Sequence, residues 1–281
     1  MKLSCHTITW GGVVGHPVGV TSVKDLFYLA NAPTETALRD VADAGYKGFE
    51  LFDGSLVEYE DRPDDFRQLL AETGLELVAV YSGANFVFPE ILDEELWRIA
   101  KAASLGSQFG AEHLVVGGGA QRARRTTDED YDRLAKGLDR VVAIAEEHGL
   151  QASYHPHLTT IVESPEQLEK LMARSRINFC PDTAHLVAGG GDPAELIRRY
   201  ADRIVYVHLK DFTAEPFAFL PLGRGELDFR AILEELDRAG YDGWITIELD
   251  AYDGAPGEAA RESRHYLESL LAPAGEGEPN A

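Results

Sequence analysis

The 281-residue sequence has few cysteines and no long apolar run. Its two cysteines, Cys5 and Cys180, lie far apart in apolar segments, which predicts buried, reduced thiols rather than a disulfide framework. No apolar run approaches the ~20 residues that cross a bilayer, and the first residues lack the basic and then apolar pattern of a secretory signal. We therefore expect a cytoplasmic protein without a membrane partner.

Positive charge is also scarce. The chain has 26 Lys and Arg against 48 Asp and Glu, which gives a formal net charge of −22. Such a field repels phosphate backbones and anionic lipids, and the only compact basic group is Arg122, Arg124 and Arg125. Nucleic acid is therefore excluded as an expected partner, while the acidic excess is typical of solvated helix surfaces and indicates no substrate.

A short apolar segment followed by a longer amphipathic segment recurs eight times along the chain. The predicted strands are residues 3–9, 48–51, 75–80, 113–116, 150–154, 177–180, 204–209 and 244–247. The predicted helices are residues 34–44, 64–73, 93–109, 128–148, 165–174, 193–200, 229–239 and 259–271. Strict alternation predicts parallel strands with right-handed crossovers, and eight units favour a closed barrel. We expect a single (β/α)8 TIM barrel over residues 1–272 and a disordered tail over residues 273–281.

Two long stretches without a regular pattern interrupt this alternation, at residues 10–33 and 211–227. The first begins with the letters WGGVVG, which lack the G-x-G-x-x-G turn of a dinucleotide-binding fold. In a barrel both stretches lie over the active face, so they are candidate lids.

Metal-binding residue types stand at or just after the predicted strand ends, where a barrel carries its chemistry. The candidate site residues are His6, Trp10, Glu50, His155, His157, Asp182, His185, His208, Lys210 and Glu248. A mixture of imidazole and carboxylate suits a transition metal better than calcium. We expect one divalent ion, with manganese or cobalt favoured over zinc, iron or magnesium. Asp182, His208 and Glu248 are predicted ligands because they follow strands in the same half of the barrel, whereas His155 is either a ligand or a base.

Several segments resemble the xylose-isomerase-like barrel superfamily, which includes the sugar phosphate isomerases and epimerases. They are YHPHLTTIVES from Tyr154, PDTAHLVAGGGDP, YVHLKDF, GRGELDF and AGYDGWITIELD. The likeness is strongest to inosose dehydratases and to C-glycoside deglycosidase subunits. It implies a divalent metal held by a Glu, an Asp, a His and a second Glu, and the last three match Asp182, His208 and Glu248. Where the family has the first Glu, this chain has His155-Pro156-His157.

The resemblance implies an enzyme that abstracts a proton α to the carbonyl of a keto-sugar or inosose and then eliminates a β substituent. We expect His155 or His157 to act as the base, with Glu50 as the alternative, and Lys210 to assist catalysis. His185, Trp10 and His6 are predicted substrate contacts. An isomerase or epimerase that uses the same enediolate is one alternative, and a non-catalytic barrel subunit is another. A homo-oligomer or a second polypeptide subunit is also compatible with this resemblance.

Overall fold

Eight parallel strands form the central sheet of the computed structural model, which describes residues 1–11 and 27–272. The strands are β1 (Lys2–His6), β2 (Gly48–Phe52), β3 (Glu76–Ala84), β4 (His113–Gly118), β5 (Gln151–Tyr154), β6 (Asn178–Phe179), β7 (Val207–Leu209) and β10 (Trp244–Ile247). Their order in the sheet is β6-β5-β4-β3-β2-β1-β10-β7. Parallel bridges from Phe179 to Ile204 and from Asp182 to His208 join the two outer strands. The predicted (β/α)8 barrel is therefore confirmed.

Helices surround this sheet. They are α1 (Thr34–Asp43), α2 (Asp53–Val57), α3 (Pro63–Thr73), α4 (Leu92–Gln108), α5 (Asp128–Glu147), α6 (Pro165–Met172), α7 (Thr183–Ala188), α8 (Pro193–Arg199), α9 (Phe229–Arg238) and α10 (Pro256–Leu271). Local signals fix their ends. Thr127 and Ser164 form capping boxes at the starts of α5 and α6, and α3 ends at Gly74, which has a φ of 65°.

The main differences from the sequence prediction are at the end of β1, at two short helices and in the stretch 211–227. Strand β1 ends at His6 instead of residue 9, because the His6 Nδ1 accepts a hydrogen bond from the Ile8 backbone N–H and starts a 3-10 turn over Thr7–Thr9. Two short helices, α2 and α7, were not predicted. The stretch 211–227 contains an antiparallel hairpin of β8 (Asp211–Ala214) and β9 (Phe217–Leu220). The predicted tail over residues 273–281 and most of the first long loop lie outside the described residues.

Two apolar cores hold the barrel together. The larger core lies between the outside of the sheet and the helices. The smaller core includes inward-facing residues of the strands, and its buried members are Ile8, Phe52, Val78, Ala79, Tyr81, Val115, Cys180, Tyr206 and Trp244. Both cysteines are buried and free, as predicted. Across the described ranges, no helix is both long and apolar enough to cross a membrane.

A layer of hydroxyl groups lies on β1, on β10 and directly before β7. The hydroxyls of Ser4 and Thr246 lie 2.5 Å apart, and the Thr246 hydroxyl also contacts the Tyr206 hydroxyl. Tyr206 is two residues before His208, and Thr246 is two residues before Glu248. Because side chains alternate between the two faces of a strand, Tyr206 and Thr246 point into the barrel as His208 and Glu248 do, but one layer further from the carboxyl ends of the strands. This hydroxyl layer forms a polar floor beneath the carboxyl end of the barrel.

Candidate active site

Four strand ends bring two histidines and two carboxylates into one buried group, which we call the ligand cluster. His155 follows β5, Asp182 is the N-cap of α7 just after β6, His208 lies in β7, and Glu248 follows β10. One potential ligand atom from each of the four residues lies within 4.8 Å of the others. Because parallel strands of a closed barrel end at the same rim, residues distant in sequence meet here.

The ligand cluster contains buried polar atoms that lack a hydrogen-bond partner among residues 1–11 and 27–272. They are both ring nitrogens of His155 and, apart from their ion-pair contacts with each other and with Lys210, Asp182 Oδ2, His208 Nδ1 and Glu248 Oε2. Buried polar atoms are rarely left without a partner unless an ion or water satisfies them. Two imidazole and two carboxylate donors are a ligand set that suits manganese, cobalt, zinc or iron. The residues present therefore fit a divalent metal ion.

Glu50 holds His208 in place. Its Oε2 lies 2.7 Å from the His208 Nε2, and on the other side the His208 Nδ1 lies 2.5 Å from Glu248 Oε2. Burial alone would lower the pKa of His208, but Glu50 and Glu248 outweigh it and raise the pKa to about 10. Glu50 therefore orients the His208 ring with its Nδ1 toward the ligand cluster, where a metal ion would take the place of the proton shared with Glu248.

Glu50 also approaches a second histidine, His6. Its Oε1 lies 3.7 Å from the Nε2 of fully buried His6. Because the Nδ1 of His6 accepts from Ile8, the proton of a neutral ring is on Nε2 and faces Glu50. Each carboxylate oxygen of Glu50 therefore faces a histidine ring, that of His208 or that of His6.

Lys210 is a fully buried cation surrounded by carboxylates. Its Nζ lies 2.8 Å from Asp250 Oδ2, 3.3 Å from Asp182 Oδ2 and 3.5 Å from Glu248 Oε1. Burial alone would lower the pKa of Lys210, but Asp182, Asp250 and Glu248 together raise it above its ordinary value. The ammonium group therefore stays charged and balances part of the negative charge of the ligand cluster.

The two carboxylates of the ligand cluster respond in opposite ways to this environment. Burial raises the pKa of Asp182 to about 7, although Lys210 acts against it. Burial also acts to raise the pKa of Glu248, but Lys210 and His208 outweigh it and hold that pKa well below its ordinary value. Glu248 therefore ionises far more readily than Asp182.

His157 and His185 form a pair at the opening of this site. Their ring centroids are 3.8 Å apart, and the ring of His185 also packs on Phe219 of the hairpin at 4.9 Å. The Nε2 of His185 lies 3.3 Å from the Lys210 Nζ. Burial lowers the pKa of His157 and of His185 below the ordinary value of histidine, so both rings are neutral near pH 7.

The hairpin above the site is fixed by the buried carboxylate of Asp211. Its oxygens accept from the backbone N–H groups of Phe212, Gly223, Gly225 and Leu227 at 2.8–3.2 Å. A Cβ on Gly225 would come within 2.3 Å of Asp211 Oδ1, so the loop needs a glycine at this close approach. Asp211 therefore fixes the loop over residues 223–227 against the start of β8.

Buried carboxylates serve other loops of the same rim in a similar way. Asp53 accepts from the backbone N–H of Tyr28 at 2.7 Å and from the Ser82 hydroxyl at 2.6 Å. Glu95 of α4 accepts from the backbone N–H of Asn85 at 2.8 Å and of Phe86 at 3.1 Å.

Asp130 does the same for the loop after β4. It accepts from the Thr127 backbone N–H at 3.0 Å and from Arg124 at 2.8 Å. Together with Asp53, Glu95 and Asp211, it belongs to a set of buried acids that we call the loop anchors.

The structure brings most of the candidate residues from the sequence together, but not Trp10. Trp10 packs in the larger core, and its indole N–H donates to Asp40 of α1 at 2.7 Å. Its role in substrate binding stays a prediction, as do those of His6 and His185. Sequence reasoning gave no role to Asp250, whose Oδ1 is buried and has no hydrogen-bond partner within the described part of the chain. Its only sequence signal is its place two residues after Glu248.

Comparison with known proteins gives consistent matches over most of the chain. Residues 38–270 match the family model of the xylose isomerase-like TIM barrel. The inosose dehydratase of Geobacillus kaustophilus (strain HTA426) is 31% identical over 272 residues, which cover 84% of this chain and 87% of that protein. Among solved structures, 3-keto-D-glucoside 4-epimerase, YcjR, from E. coli superposes with a TM-score of 0.74 at 18% identity, over 96% of this chain and 99% of that one. The IOLI protein, solved with a bound zinc atom, has a TM-score of 0.73 at 18% identity, over 97% of this chain and 98% of that one.

Proposed function

Because this chain belongs to the xylose isomerase-like TIM barrel family, we propose that it is a metal-dependent lyase acting on an inosose or a related keto-sugar. The reaction removes the proton α to the carbonyl and then eliminates a β substituent. The observation that carries this proposal is the ligand cluster, whose buried donor atoms lie beside the charged Lys210. The name of the Geobacillus relative supports an inosose as the substrate.

One divalent ion, manganese or cobalt, is the proposed cofactor, and His155, Asp182, His208 and Glu248 would hold it. Burial holds the pKa of His155 well below its ordinary value, so its ring is neutral and has a lone pair for a metal. When bound, the ion would act as a Lewis acid that polarises the substrate carbonyl and makes the α proton more acidic. This assignment makes His155 a ligand and leaves the role of the base to another residue.

His157 is the base in this proposal. Its Nδ1 lies 2.8 Å from the backbone carbonyl oxygen of Leu158. A carbonyl can only accept, so Nδ1 carries the proton and Nε2 has a free lone pair. Because the ring is neutral near pH 7, that lone pair can take a proton from carbon. Glu50, the alternative base, is already engaged by His208.

Lys210 and His185 act on the oxygen atoms of the substrate. An ammonium group only donates, so the His185 Nε2 accepts from Lys210 and its Nδ1 carries the proton. That Nδ1–H is buried and has no hydrogen-bond partner in the described ranges, so it can donate to a substrate oxygen. The positive charge of Lys210 stabilises the negative charge that develops on the carbonyl oxygen as the α proton leaves.

The elimination follows from the same groups. The electrons of the broken C–H bond form the enolate, and their return expels the β hydroxyl. The hydroxyl takes the proton that His157 has accepted and leaves as water, which restores the neutral imidazole. Reprotonation of the enolate on carbon instead would give an epimer or an isomer.

The test combines metal analysis with proton exchange. We expect about one manganese or cobalt per chain in wild type and its loss in Asp182→Ala and Glu248→Ala. In D₂O, wild type is expected to exchange the α proton of an inosose or a 3-keto-glucoside and to release an unsaturated ketone. His157→Gln is expected to keep the metal and to lose turnover about 10²–10⁴-fold, whereas His265→Gln, a change at an exposed histidine of α10, changes neither.

Each other outcome has a definite meaning. Exchange without release of the unsaturated product would replace the lyase with an epimerase or isomerase. A folded wild-type protein that holds no metal and exchanges no proton would contradict the proposed function as a whole. Full turnover in His157→Gln would refute only the choice of base.

A further inference from the structure

A buried thiol lies next to the ligand cluster and has no part in the proposed reaction. Cys180 directly follows β6, two residues before Asp182, and is fully buried in the smaller core inside the barrel. Its Sγ, one ring nitrogen of His155 and one ring nitrogen of His208 lie within 4.8 Å of one another. The sulfur atom of Cys180 and the carboxylates of the ligand cluster therefore lie near the same two histidines.

We propose that His155, Cys180 and His208 form a second, overlapping metal position that takes a thiophilic divalent cation such as Cd²⁺. Soft sulfur ligands select soft ions, while carboxylates select harder ions such as Mn²⁺. Tetrahedral zinc bonds of ~2.3 Å to sulfur and ~2.0 Å to nitrogen place these two donors ~3.5 Å apart, and the longer bonds of the larger Cd²⁺ ion allow a wider spacing. Side-chain shifts of about an ångström therefore bring the three donors into bonding distance.

The unpartnered state of His155 is an independent observation that points to a ligand at this place. Neither of its ring nitrogens has a hydrogen-bond partner in the described part of the chain, and its side chain is fully buried. The ring can therefore turn toward either group without breaking a hydrogen bond.

The two metal positions exclude each other because they share His155 and His208. A thiophilic ion bound at the sulfur position withdraws two of the four ligands from the hard ion. Its binding replaces the S–H bond of Cys180 with a bond from sulfur to the metal and releases one proton to solvent. The site therefore holds either one hard ion or one soft ion, and it does not hold both.

Cys5 provides a matched control within the same barrel. It is also buried and free, but its Sγ lies 3.6 Å from the backbone oxygen of His6. Among the described residues, no potential metal-binding group includes it. Any thiolate signal at the metal centre must therefore come from Cys180.

The experiment is a titration of the metal-depleted full-length protein with Cd²⁺, followed by the ultraviolet charge-transfer band from thiolate to cadmium. We expect one equivalent of Cd²⁺ to produce the band in wild type and in Cys5→Ser, and no band in Cys180→Ser. Prior loading with Mn²⁺ is expected to delay the band, and Cd²⁺ is expected to release one Mn²⁺ per chain. Cys180→Ser is expected to bind Mn²⁺ with unchanged stoichiometry.

A ¹¹³Cd NMR spectrum of the wild-type complex tests the proposal without any variant, because sulfur ligation shifts the resonance far from that of nitrogen and oxygen ligation. Stoichiometric Cd²⁺ binding without the charge-transfer band or the sulfur-shifted resonance would overturn the proposal. So would a band that persists in folded Cys180→Ser, or simultaneous binding of one Mn²⁺ and one Cd²⁺. None of these readouts depends on turnover, so the proposed lyase can fail while this metal position stands.

Discussion

Replacement of Glu50 by glutamine distinguishes two roles for this residue. Glu50 either supports His208 as a proposed metal ligand or acts as the general base, the alternative to His157. Glu50 Oε2 lies 2.7 Å from the His208 Nε2, and Oε1 lies 3.7 Å from the His6 Nε2. A glutamine has the same shape and can still accept from His208, but it carries no charge to make the His208 ring a stronger ligand. Loss of such a supporting carboxylate weakens metal binding about 10–100-fold, which is about 1.4–2.7 kcal/mol.

The measurement is the Mn²⁺ dissociation constant of wild type and Glu50→Gln, by calorimetry or by the loss of the free-ion electron paramagnetic resonance signal. Turnover is measured on the same samples at increasing Mn²⁺. We expect weaker binding of the stated size and turnover that returns as the metal saturates the variant. Glu76→Gln is the control, because Glu76 is an exposed carboxylate at the amino end of β3, opposite to the barrel end that carries the ligand cluster.

The reasoning is refuted if Glu50→Gln binds Mn²⁺ as tightly as wild type but stays inactive at saturating metal. That result would place Glu50 on the substrate and return it to the role of general base. His157→Gln would then be expected to keep substantial turnover, so the two variants together assign the base.

Two further predictions concern stability. Burial lowers the pKa of His113 to about 4, so between pH 6.5 and 4 the unfolded chain binds a proton that the folded chain does not. Wild type should therefore lose up to about 3 kcal/mol relative to His113→Phe as the pH falls through this window. Urea unfolding at several pH values measures this, and a difference that does not change with pH contradicts it. Asp211→Ala removes the acceptor of four backbone N–H groups and should cost about 2–4 kcal/mol, with faster amide exchange at residues 223–227. A loss below about 1 kcal/mol, equal to that of the exposed control Asp253→Ala, would contradict the role of this anchor.

The strands of the barrel could be predicted because they are buried on both faces and therefore form short apolar runs. The start of α6 could be predicted from Ser164 and Pro165, which are a cap and a first-turn proline. The hairpin was missed, although Phe217 and Phe219 alternate directly after Pro216, a pattern typical of a strand that follows a turn. The turn-forming residues around this short pattern indicated a loop and outweighed it.

The candidate site could be predicted in its residue types but not in its contacts. The positions of Asp182, His208 and Glu248 after apolar strands pointed to one rim, and the structure places their side chains together with His155. The pairing of Glu50 with His208 joins residues 158 positions apart, and no local pattern encodes such a distance. The loop anchors were missed for the same reason, because an acid that accepts backbone N–H groups looks like any other acid in the sequence.

The loop anchors also bear on how this barrel can change. Asp53, Glu95, Asp130 and Asp211 each hold a different part of the rim, and their hydrogen bonds to backbone N–H groups do not depend on the side chains there. The sequence of one loop can therefore change while the other loops keep their backbone conformation. The segment from Asp211 to Asp228 has its own anchor and its own helix cap, and it also contacts α10 through the Leu222 backbone N–H and the Ser263 hydroxyl. An engineer who wants a new substrate has a replaceable part above a fixed metal centre.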